Sequence, residues 1–314
     1  MDKYTAGRSG VVTIMLIAQY INHFAEKSPA APAMIHNGRP ISYSAFAQAI
    51  SRTSTEISSY SVQSPGTAAV KIRNLADCWV TTLALQAKGY TTICISSLES
   101  LESLQVKNLT ALFLSVEETG DAPRYHGSVP IFAVSKPGFE ETATSEHAGI
   151  AEHSNECGHI LYTSGTTGNY KKCLLTARTQ ELRDRQRCEY YHWDRNTRFH
   201  GLSFGLWTSI GYNLPPSVWS VGGCVLFDQQ DDWPSCFFDN DPSFVFLLPD
   251  QALQLCEAVN PRFLKAEKSH NLVLHVGGGF LSNRVAGKLR KNVSENIVIT
   301  YGSSETNAAS FEQA

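Results

Sequence analysis

Between residues 67 and 134 the sequence alternates short apolar runs with longer helical patterns, and this alternation limits the possible folds more than any other feature. Four apolar runs predict strands, and helices are predicted between the first three of them. The predicted strands are Ala68–Ile72, Thr91–Ile95, Ala111–Val116 and Ile131–Val134, and the predicted helices are Leu75–Ala87 and Leu98–Val106. Strands that alternate with helices build a mainly parallel sheet covered by helices. The sequence therefore predicts an α/β protein.

The flanking segments predict further strands and helices. Apolar residues three or four apart between Val11 and Phe24 predict an opening helix, and Asn37-Gly38 predicts a hairpin turn, after which Ser44 is expected to cap a helix. Later strands are predicted at Val221–Phe227, Phe244–Leu248, Leu272–Val276 and Ile297–Thr300, with a helix at Gln251–Val259. A chain of 314 residues can bury a large core in two lobes. The serine-rich stretch 58–66 contains Pro-Gly and predicts the boundary between a lobe of residues 1–62 plus 196–314 and a lobe of residues 63–195.

Charge and composition argue against several classes of partner. The net charge of -3 gives no electrostatic reason to expect nucleic acid. The eight cysteines contain no C-x-x-C pair, which favours reduced thiols in a cytoplasmic protein. The apolar run Val11–Ala18 is too short to cross a bilayer and lacks a signal-peptide cleavage site. We therefore predict a cytoplasmic protein without a membrane span.

The most informative single motif is a loop of small residues between two apolar runs. Ile160-Leu161-Tyr162 and Cys173-Leu174-Leu175 read as strands, and the connection between them is rich in Ser, Thr and Gly. Glycines let the backbone approach an anion, and successive N–H groups and hydroxyls converge on its oxygens. Lys171 follows and can neutralise charge. The loop therefore predicts a phosphate site rather than a simple turn.

Two later motifs place glycine and aromatic residues at strand ends. The predicted strand Leu272–Val276 runs into Gly277-Gly278-Gly279, which exposes backbone where a flat ligand can lie close, although a tight turn has the same pattern. The predicted strand Ile297–Thr300 is followed directly by Tyr301 and Gly302, and Glu305 comes four residues after the tyrosine.

A third stretch, from Phe199 to Thr208, is aromatic, rich in glycine and low in charge. Bulky apolar side chains of this kind suit the wall of a ligand pocket. Farther along, Tyr212 and Trp219 add to the aromatic content, which favours an aryl or medium-sized acyl ligand, and a packed core would look the same.

In their order along the chain, these motifs resemble those of the adenylate-forming superfamily. That superfamily contains acyl- and aryl-CoA synthetases, the adenylation domains of nonribosomal peptide synthetases, and luciferases. The resemblance rests on Tyr162–Gly168 with Lys171, on Gly278–Leu281, and on Tyr301-Gly302-Ser303-Ser304-Glu305. It implies two stacked mixed or parallel sheets with flanking helices, as in the family's large N-terminal domain without its barrel lobe and C-terminal domain.

The resemblance also implies roles for individual residues. The expected phosphate-binding residues are Thr163, Ser164, Gly165, Thr166, Thr167, Gly168 and Lys171, and the expected adenine-binding residues are Gly277, Gly278, Gly279, Tyr301 and Gly302. Ser304 is expected near phosphate and Glu305 on Mg²⁺, and the acyl pocket is expected at His200, Phe204, Gly205 and Trp207. Two positions depart from the family pattern, because Tyr170 stands where proline is usual and Lys172 where glycine is usual.

The implied reaction joins a small carboxylic acid to ATP as an acyl-adenylate and then passes the acyl group to a thiol. ATP and Mg²⁺ are the expected cofactors, and the acceptor is coenzyme A or the phosphopantetheine of an acyl carrier protein. The sequence covers about the first three-fifths of such an enzyme and is read as a truncated or split N-terminal part. No catalytic residue is assignable, because the family's lysine comes from the C-terminal part, which is an expected partner.

Two other functions are compatible with the sequence. The departures at Tyr170 and Lys172 allow a catalytically inactive member of the family that binds a nucleotide or an acyl ligand. Gly201-Leu202-Ser203-Phe204-Gly205 fits the G-x-S-x-G pattern of serine hydrolases, with Asp228 or Asp250 and His270 or His275 following in hydrolase order. The preceding residues Asn196-Thr197-Arg198 lack the apolar pattern of the strand that such a motif requires.

Overall fold

The computed structural model describes residues 15–62, 65–125, 127–140, 158–164, 170–229, 237–258, 271–303 and 307–313. The helices are α1 (Ile17–Lys27), α2 (Tyr43–Ser58), α3 (Leu75–Ala87), α4 (Leu98–Leu104), α5 (Ala177–Tyr191), α6 (Ser209–Ser220), α7 (Pro249–Ala258) and α8 (Asn283–Asn292), with a 3₁₀ segment at Val116–Arg124. The strands are β1 (Pro32–His36), β2 (Arg39–Ser42), β3 (Thr67–Lys71), β4 (Thr91–Cys94), β5 (Leu109–Ser115), β6 (Ile131–Val134), β7 (Gly158–Ser164), β8 (Tyr170–Thr176), β9 (Arg198–His200), β10 (Cys224–Phe227), β11 (Phe244–Leu247), β12 (Val273–Val276), β13 (Asn296–Ser303) and β14 (Asn307–Gln313).

These strands form two sheets within the described residues. One has the order β14-β13-β12-β11-β9-β10-β1-β2 and is parallel except at its two edges, where β13 pairs with β14 and β1 with β2 in antiparallel fashion. The other has the order β6-β5-β3-β4-β7-β8 and is parallel except for the β7–β8 hairpin. The predicted fold of two mixed sheets with flanking helices is confirmed.

The first hairpin forms where the turn residues predict it. Asn37 and Gly38 both have positive φ, 48° and 75°, which matches the turn to the twist of the strands. The cap of α2 is not the predicted Ser44. The Oγ of Ser42 accepts a hydrogen bond from the backbone N–H of Ala45 at 3.0 Å, so the helix begins at Tyr43. Ser42, the last residue of β2, is therefore also the N-cap of α2.

One hydrophobic cluster contains residues of both sheets. Trp79 of α3 and Trp219 of α6 meet edge to face with ring centroids 4.8 Å apart, and Phe46 of α2 lies 5.3 Å from Trp219. All three are buried in a cluster that also contains Val225 of the larger sheet and Val70 of the smaller one. The strands of the larger sheet all lie in residues 1–62 and 196–314, and the strands of the smaller sheet all lie in residues 63–195. Because one hydrophobic cluster joins the two sheets, the division into two lobes stays a prediction.

Helix α5 has a highly charged sequence of mixed sign, yet one of its faces is buried. Its residues Gln180, Glu181, Asp184 and Arg187 are buried, at the spacing of one helical face. The face is polar, so it gave no apolar stripe for sequence analysis to detect. Asp184 accepts hydrogen bonds from Gln180 and from Ser217 of α6, both at 2.7 Å. This helix is thus held by a buried polar network.

Several elements, including helices α6 and α8 and strands β9 and β14, were absent from the sequence prediction. Helix α6 contains Pro215 and Pro216, which normally argue against a helix interior. Its start is fixed by Thr208, whose Oγ1 accepts from the backbone N–H of Gly211 at 3.0 Å. Strand β14 completes the edge of the larger sheet. No helix in the described ranges has both the length and the apolar character needed to cross a membrane.

Candidate nucleotide and acyl site

The predicted phosphate loop connects two strands that pair in antiparallel fashion. Strands β7 and β8 pair from Gly158 opposite Thr176 to Ser164 opposite Tyr170, so Thr163 and Lys171 face each other across the neck of the hairpin. Lys171 is exposed and Thr163 is half-buried. The loop residues Gly165, Thr166, Thr167 and Gly168 lie outside the described residues, and their predicted contacts with phosphate stay predictions.

Both departures from the family pattern have structural contacts here. The rings of Tyr162 and Tyr170 meet edge to face at 5.6 Å across the neck of the hairpin. The Nζ of Lys172 donates hydrogen bonds to the carbonyl oxygens of Leu104 and Gln105, at 2.5 and 3.2 Å, where α4 ends. A cation at a helix C-terminus is favourable because the last carbonyls carry partial negative charge. Lys172 therefore ties β8 to α4.

A large cleft opens where β12 and β13 end. It has a volume of about 870 Å³, within the usual range for ligand sites. Because the two strands are parallel, their carboxyl ends meet at one edge of the sheet, the position at which open α/β sheets bind ligands. The lining residues are Gly278, Gly279, Phe280, Leu281, Asn283, Ala286, Arg290, Ile299, Thr300, Tyr301 and Gly302. Four of the five predicted adenine-binding residues thus share one cleft.

The glycines on this edge are required by their surroundings. Gly278 has a φ of 77°, which side-chain-bearing residues rarely adopt, and a Cβ there would lie 2.8 Å from the Cδ2 of Leu248. A Cβ on Gly277 would lie 2.8 Å from the Oγ1 of Thr300. Gly277 is the predicted adenine residue that does not itself line the cleft, and it makes room for the Thr300 hydroxyl.

Aromatic surface is available at the mouth of the cleft. Tyr301 is 79% exposed and Phe280 is 87% exposed, so both rings can stack on a flat ligand. Ser304 and Glu305, the predicted phosphate and magnesium residues, lie outside the described residues. The ranges that the structure describes contain no cluster of three or more His, Cys, Asp or Glu side chains suited to a metal ion.

The predicted acyl residues divide into two groups. His200 is buried on β9, stacks on Phe237 at 5.1 Å and accepts a hydrogen bond from the backbone N–H of Leu202 at 3.1 Å. Burial lowers the pKa of His200 to about 4, so the ring is neutral. His200 does not line the cleft, and its role in an acyl pocket stays a prediction.

The other acyl residues lie after β9. Gly205 is buried, and any Cβ there would collide with the ring of Trp207. Phe204 is half-buried and faces Phe246 of β11, with ring centroids 5.9 Å apart. These contacts place Phe204 beside the larger sheet.

Sequence reasoning missed the residues that connect Phe204 to the cleft. Phe246 packs against the ring of His275 at 4.7 Å, and the Nε2 of His275 lies 2.6 Å from the Oγ1 of Thr300 in the cleft wall. On its other side, the Nδ1 of His275 lies 3.1 Å from the hydroxyl of Tyr191. The available signal was one polar residue in the otherwise apolar run Leu272–Val276.

The serine hydrolase reading has mixed support. Strand β9 does precede Ser203, contrary to the sequence expectation, and Ser203 is exposed. Both ring nitrogens of His275 are instead bonded to Tyr191 and Thr300, so this histidine is not available as a base for the serine. The other candidate, His270, lies outside the described residues.

The fold and the cleft together define the class of protein. An open, mostly parallel sheet with glycines and an exposed tyrosine at the ends of adjacent strands is typical of α/β proteins that bind a nucleotide. A comparison with known protein families identifies one family, because the model of the AMP-binding enzyme family matches residues 21–313. The chain belongs to the AMP-binding enzyme family.

Known relatives and solved structures agree with this assignment. Malpinin synthetase from Mortierella alpina is 23% identical over 316 residues, which is 95% of this chain, and surfactin synthase subunit 2 from Bacillus subtilis is 22% identical over 165 residues, 51% of this chain. The chain spans about 4% of the length of each of these curated relatives.

Two solved structures share the fold at low identity. The N-terminal subdomain of NpsA from Klebsiella oxytoca, in complex with 3-hydroxybenzoyl-AMSN, superposes with a TM-score of 0.75 at 17% identity over 95% of this chain and 75% of that one. ATP-bound MatB from Rhodopseudomonas palustris gives a TM-score of 0.76 at 16% identity over 94% of this chain and 62% of that one.

Proposed function

We propose that this chain binds ATP and a carboxylic acid and joins them as an acyl-adenylate. One oxygen of the acid's carboxylate forms a bond to the α-phosphorus of ATP. The bond from the α-phosphorus to the oxygen bridging to the β-phosphate breaks, and pyrophosphate leaves with the bonding electron pair. The protein's part in such a reaction is to position the reactants and to neutralise charge. The sulfur of a thiol, of coenzyme A or of a carrier protein, then forms a bond to the acyl carbon, AMP leaves with the electron pair of the broken carbon–oxygen bond, and the thiol proton is released to solvent.

The observation that carries this proposal is the cleft at the ends of β12 and β13. Its volume, its glycine backbone and the exposed ring of Tyr301 suit an adenine, and the chain belongs to a family of AMP-binding enzymes. Solved structures of the same fold hold ATP in MatB and 3-hydroxybenzoyl-AMSN in NpsA. These neighbours support ATP as the nucleotide.

The remaining roles follow the same proposal. The backbone and hydroxyls of the hairpin tip (Thr163, Ser164, Gly165, Thr166, Thr167 and Gly168) receive the phosphates together with Lys171. Ser304 approaches phosphate, and Glu305 supplies the hard oxygen ligand that Mg²⁺ prefers. When bound, Mg²⁺ neutralises phosphate charge. The acid lies on the side of Phe204 and Trp207, whose rings favour an aryl or medium-sized acyl group.

Nucleotide binding tests the proposal most directly. We expect AMP and ATP to bind the chain in calorimetric titrations, and Tyr301→Ala to weaken both by about 5- to 100-fold, as loss of a base-stacking ring does. Tyr190→Ala is the matched control, because Tyr190 is also an exposed tyrosine and is not in the cleft wall. Equal binding by the Tyr301→Ala variant and the wild-type chain would refute the adenine site.

A second measurement separates chemistry from binding. Exchange of labelled pyrophosphate into ATP that depends on an added carboxylic acid supports adenylate formation. ATP binding without exchange for any acid in a broad panel favours an inactive nucleotide-binding member of the family. Labelling of Ser203 by a fluorophosphonate would support the hydrolase reading instead.

A further inference from the structure

A line of hydrogen bonds connects α5 to the wall of the cleft. The hydroxyl of Tyr191, at the end of α5, lies 3.1 Å from the Nδ1 of His275, and the Nε2 of the same ring lies 2.6 Å from the Oγ1 of Thr300. Thr300 lines the cleft, whereas His275 is buried behind it. The histidine therefore reaches the cleft wall through its contact with Thr300.

The protonation state of His275 fixes the direction of these bonds. Burial, with a smaller contribution from the positive charge of Arg187, lowers the pKa of His275 to about 3, so the ring is neutral and carries one N–H. A phenol is a better hydrogen-bond donor than acceptor, which favours donation from the Tyr191 hydroxyl to Nδ1. The proton of the ring then lies on Nε2 and is donated to the Thr300 oxygen.

The Thr300 oxygen then accepts the hydrogen bond from His275 Nε2, and the hydroxyl proton of Thr300 can be donated to a ligand. The hydroxyl is also confined on the side of β12, where a Cβ on Gly277 would lie only 2.8 Å away. Neighbouring residues of a strand point to opposite faces, so Thr300 points away from the face of Tyr301. It lies on the side of His275 and Phe246, which Phe204 also contacts.

We propose that Tyr191 and His275 are positioning residues that hold the Thr300 hydroxyl as a hydrogen-bond donor to the acid substrate. The acid selected by this arrangement carries a hydrogen-bond acceptor on its side chain, in addition to the carboxylate that reacts. The inference rests on the proposed function, since it assigns the acid to the Phe204 side of the cleft and the nucleotide to the Tyr301 side.

The first test needs no ligand. Nitrogen-15 NMR of the histidine rings distinguishes the two neutral tautomers, and we expect His275 to carry its proton on Nε2. Thr300→Val removes the acceptor of that proton and is expected to shift the ring towards the Nδ1–H form, while Tyr190→Phe, on the neighbouring exposed tyrosine, leaves it unchanged. An Nδ1–H ring in the wild-type chain would overturn the proposal.

The second test compares benzoate with its 2-, 3- and 4-hydroxy derivatives in the presence of AMP. We expect one isomer to bind the wild-type chain about 3- to 10-fold more tightly than benzoate, as one hydrogen bond provides. Thr300→Val and Tyr191→Phe should each reduce this preference, and Tyr190→Phe should retain it.

A double-mutant cycle separates positioning from a general packing role. If Tyr191 acts through Thr300, Tyr191→Phe has no further effect on the preference in the Thr300→Val background. Three results would each overturn the inference. The losses of preference in the two single variants could add in the double variant, the preference could survive Thr300→Val, or no isomer could be preferred by the wild-type chain. AMP affinity is expected to stay at the wild-type value in Tyr190→Phe, which lies outside the cleft wall. Failure of the wild-type chain to bind AMP would instead refute the proposed function, and the tautomer of His275 would still decide the inference.

Discussion

The guanidinium of Arg187 lies 3.5 Å from the carboxylate of Asp184, and both side chains are buried between α5 and α6. Gln180 and Ser217 donate hydrogen bonds to the same Asp184 oxygen, and the Nη1 of Arg187 also donates to the Asn213 carbonyl and the Ser217 hydroxyl. A buried pair of this kind is costly to break from one side, because the remaining charge loses its partner. The network fixes the helix that carries Tyr191.

At pH 8, where Asp184 with its pKa of about 7 is ionised, Asp184→Asn is expected to lower the free energy of unfolding by about 3–5 kcal/mol, because it leaves the Arg187 charge buried without a counter-charge. Urea unfolding measures the change. Arg185→Gln is the matched control, because the Arg185–Glu181 pair on the same helix has an exposed arginine and should cost at most about 1 kcal/mol. Equal losses in the two variants would contradict a special role for the buried pair.

The contribution of Asp184 to the free energy of unfolding should fall as the pH rises from about 4 to about 7. Burial raises the pKa of Asp184 to about 7, against the opposing effect of Arg187, while the unfolded carboxyl titrates near 3.8. Between these values Asp184 holds a proton in the folded state that the unfolded chain has released, so this group makes the free energy of unfolding decrease with pH, opposite to the buried His200 and His275. The difference between the wild-type and Asp184→Asn curves isolates this slope from that of Asp77, whose pKa burial raises to about 6. Parallel curves would refute the assignment.

The adjacent lysines 171 and 172 are expected to have separable effects. Lys172→Ala removes the contact with the end of α4 and should cost about 0.3–1 kcal/mol of stability without changing nucleotide affinity. Lys171→Ala should leave stability unchanged and weaken ATP more than AMP, since it is proposed to neutralise the terminal phosphates. Thermal unfolding and calorimetric titration of both variants check the prediction. An ATP defect in Lys172→Ala alone would reverse the two assignments.

Two glycines near the cleft should respond oppositely to alanine. Gly278→Ala forces a side chain into a positive φ and should cost about 1–2 kcal/mol and weaken AMP binding. Gly287, inside α8, has no atom within 4 Å of an added Cβ, so Gly287→Ala should stabilise the helix by about 0.5–1 kcal/mol. Thermal melts of both variants provide the comparison, and a neutral Gly278→Ala would contradict the strained turn.

Trp219→Ala tests whether the two sheets share one core. The side chain contacts Trp79 and Phe46, and its Nε1 donates to the carbonyl oxygen of Ala33 at 2.9 Å. We expect a loss of about 3–5 kcal/mol, and hydrogen exchange should accelerate in the strands of both sheets together. Acceleration in one sheet alone would favour two independent lobes instead.

Local sequence patterns were sufficient for most of the elements. Helix α3 was predicted with its observed bounds, and so was strand β6, because each has a clear apolar pattern flanked by turn residues. Helix α6 was missed because its paired prolines oppose a helix, and the buried face of α5 was missed because its pattern is polar.

The sequence by itself determined the α/β class, the two strands around residues 160–162 and 173–175, and the glycine and tyrosine motifs, since all of these depend on residues close together in the chain. Only the tertiary structure brought Gly278, Gly279, Thr300, Tyr301 and Gly302 into one cleft and placed His275 behind Thr300. It also brought Tyr191 to His275 across 84 positions of sequence. The physical reason is that a hydrogen bond between distant residues depends on the packing of whole elements, which no local pattern encodes.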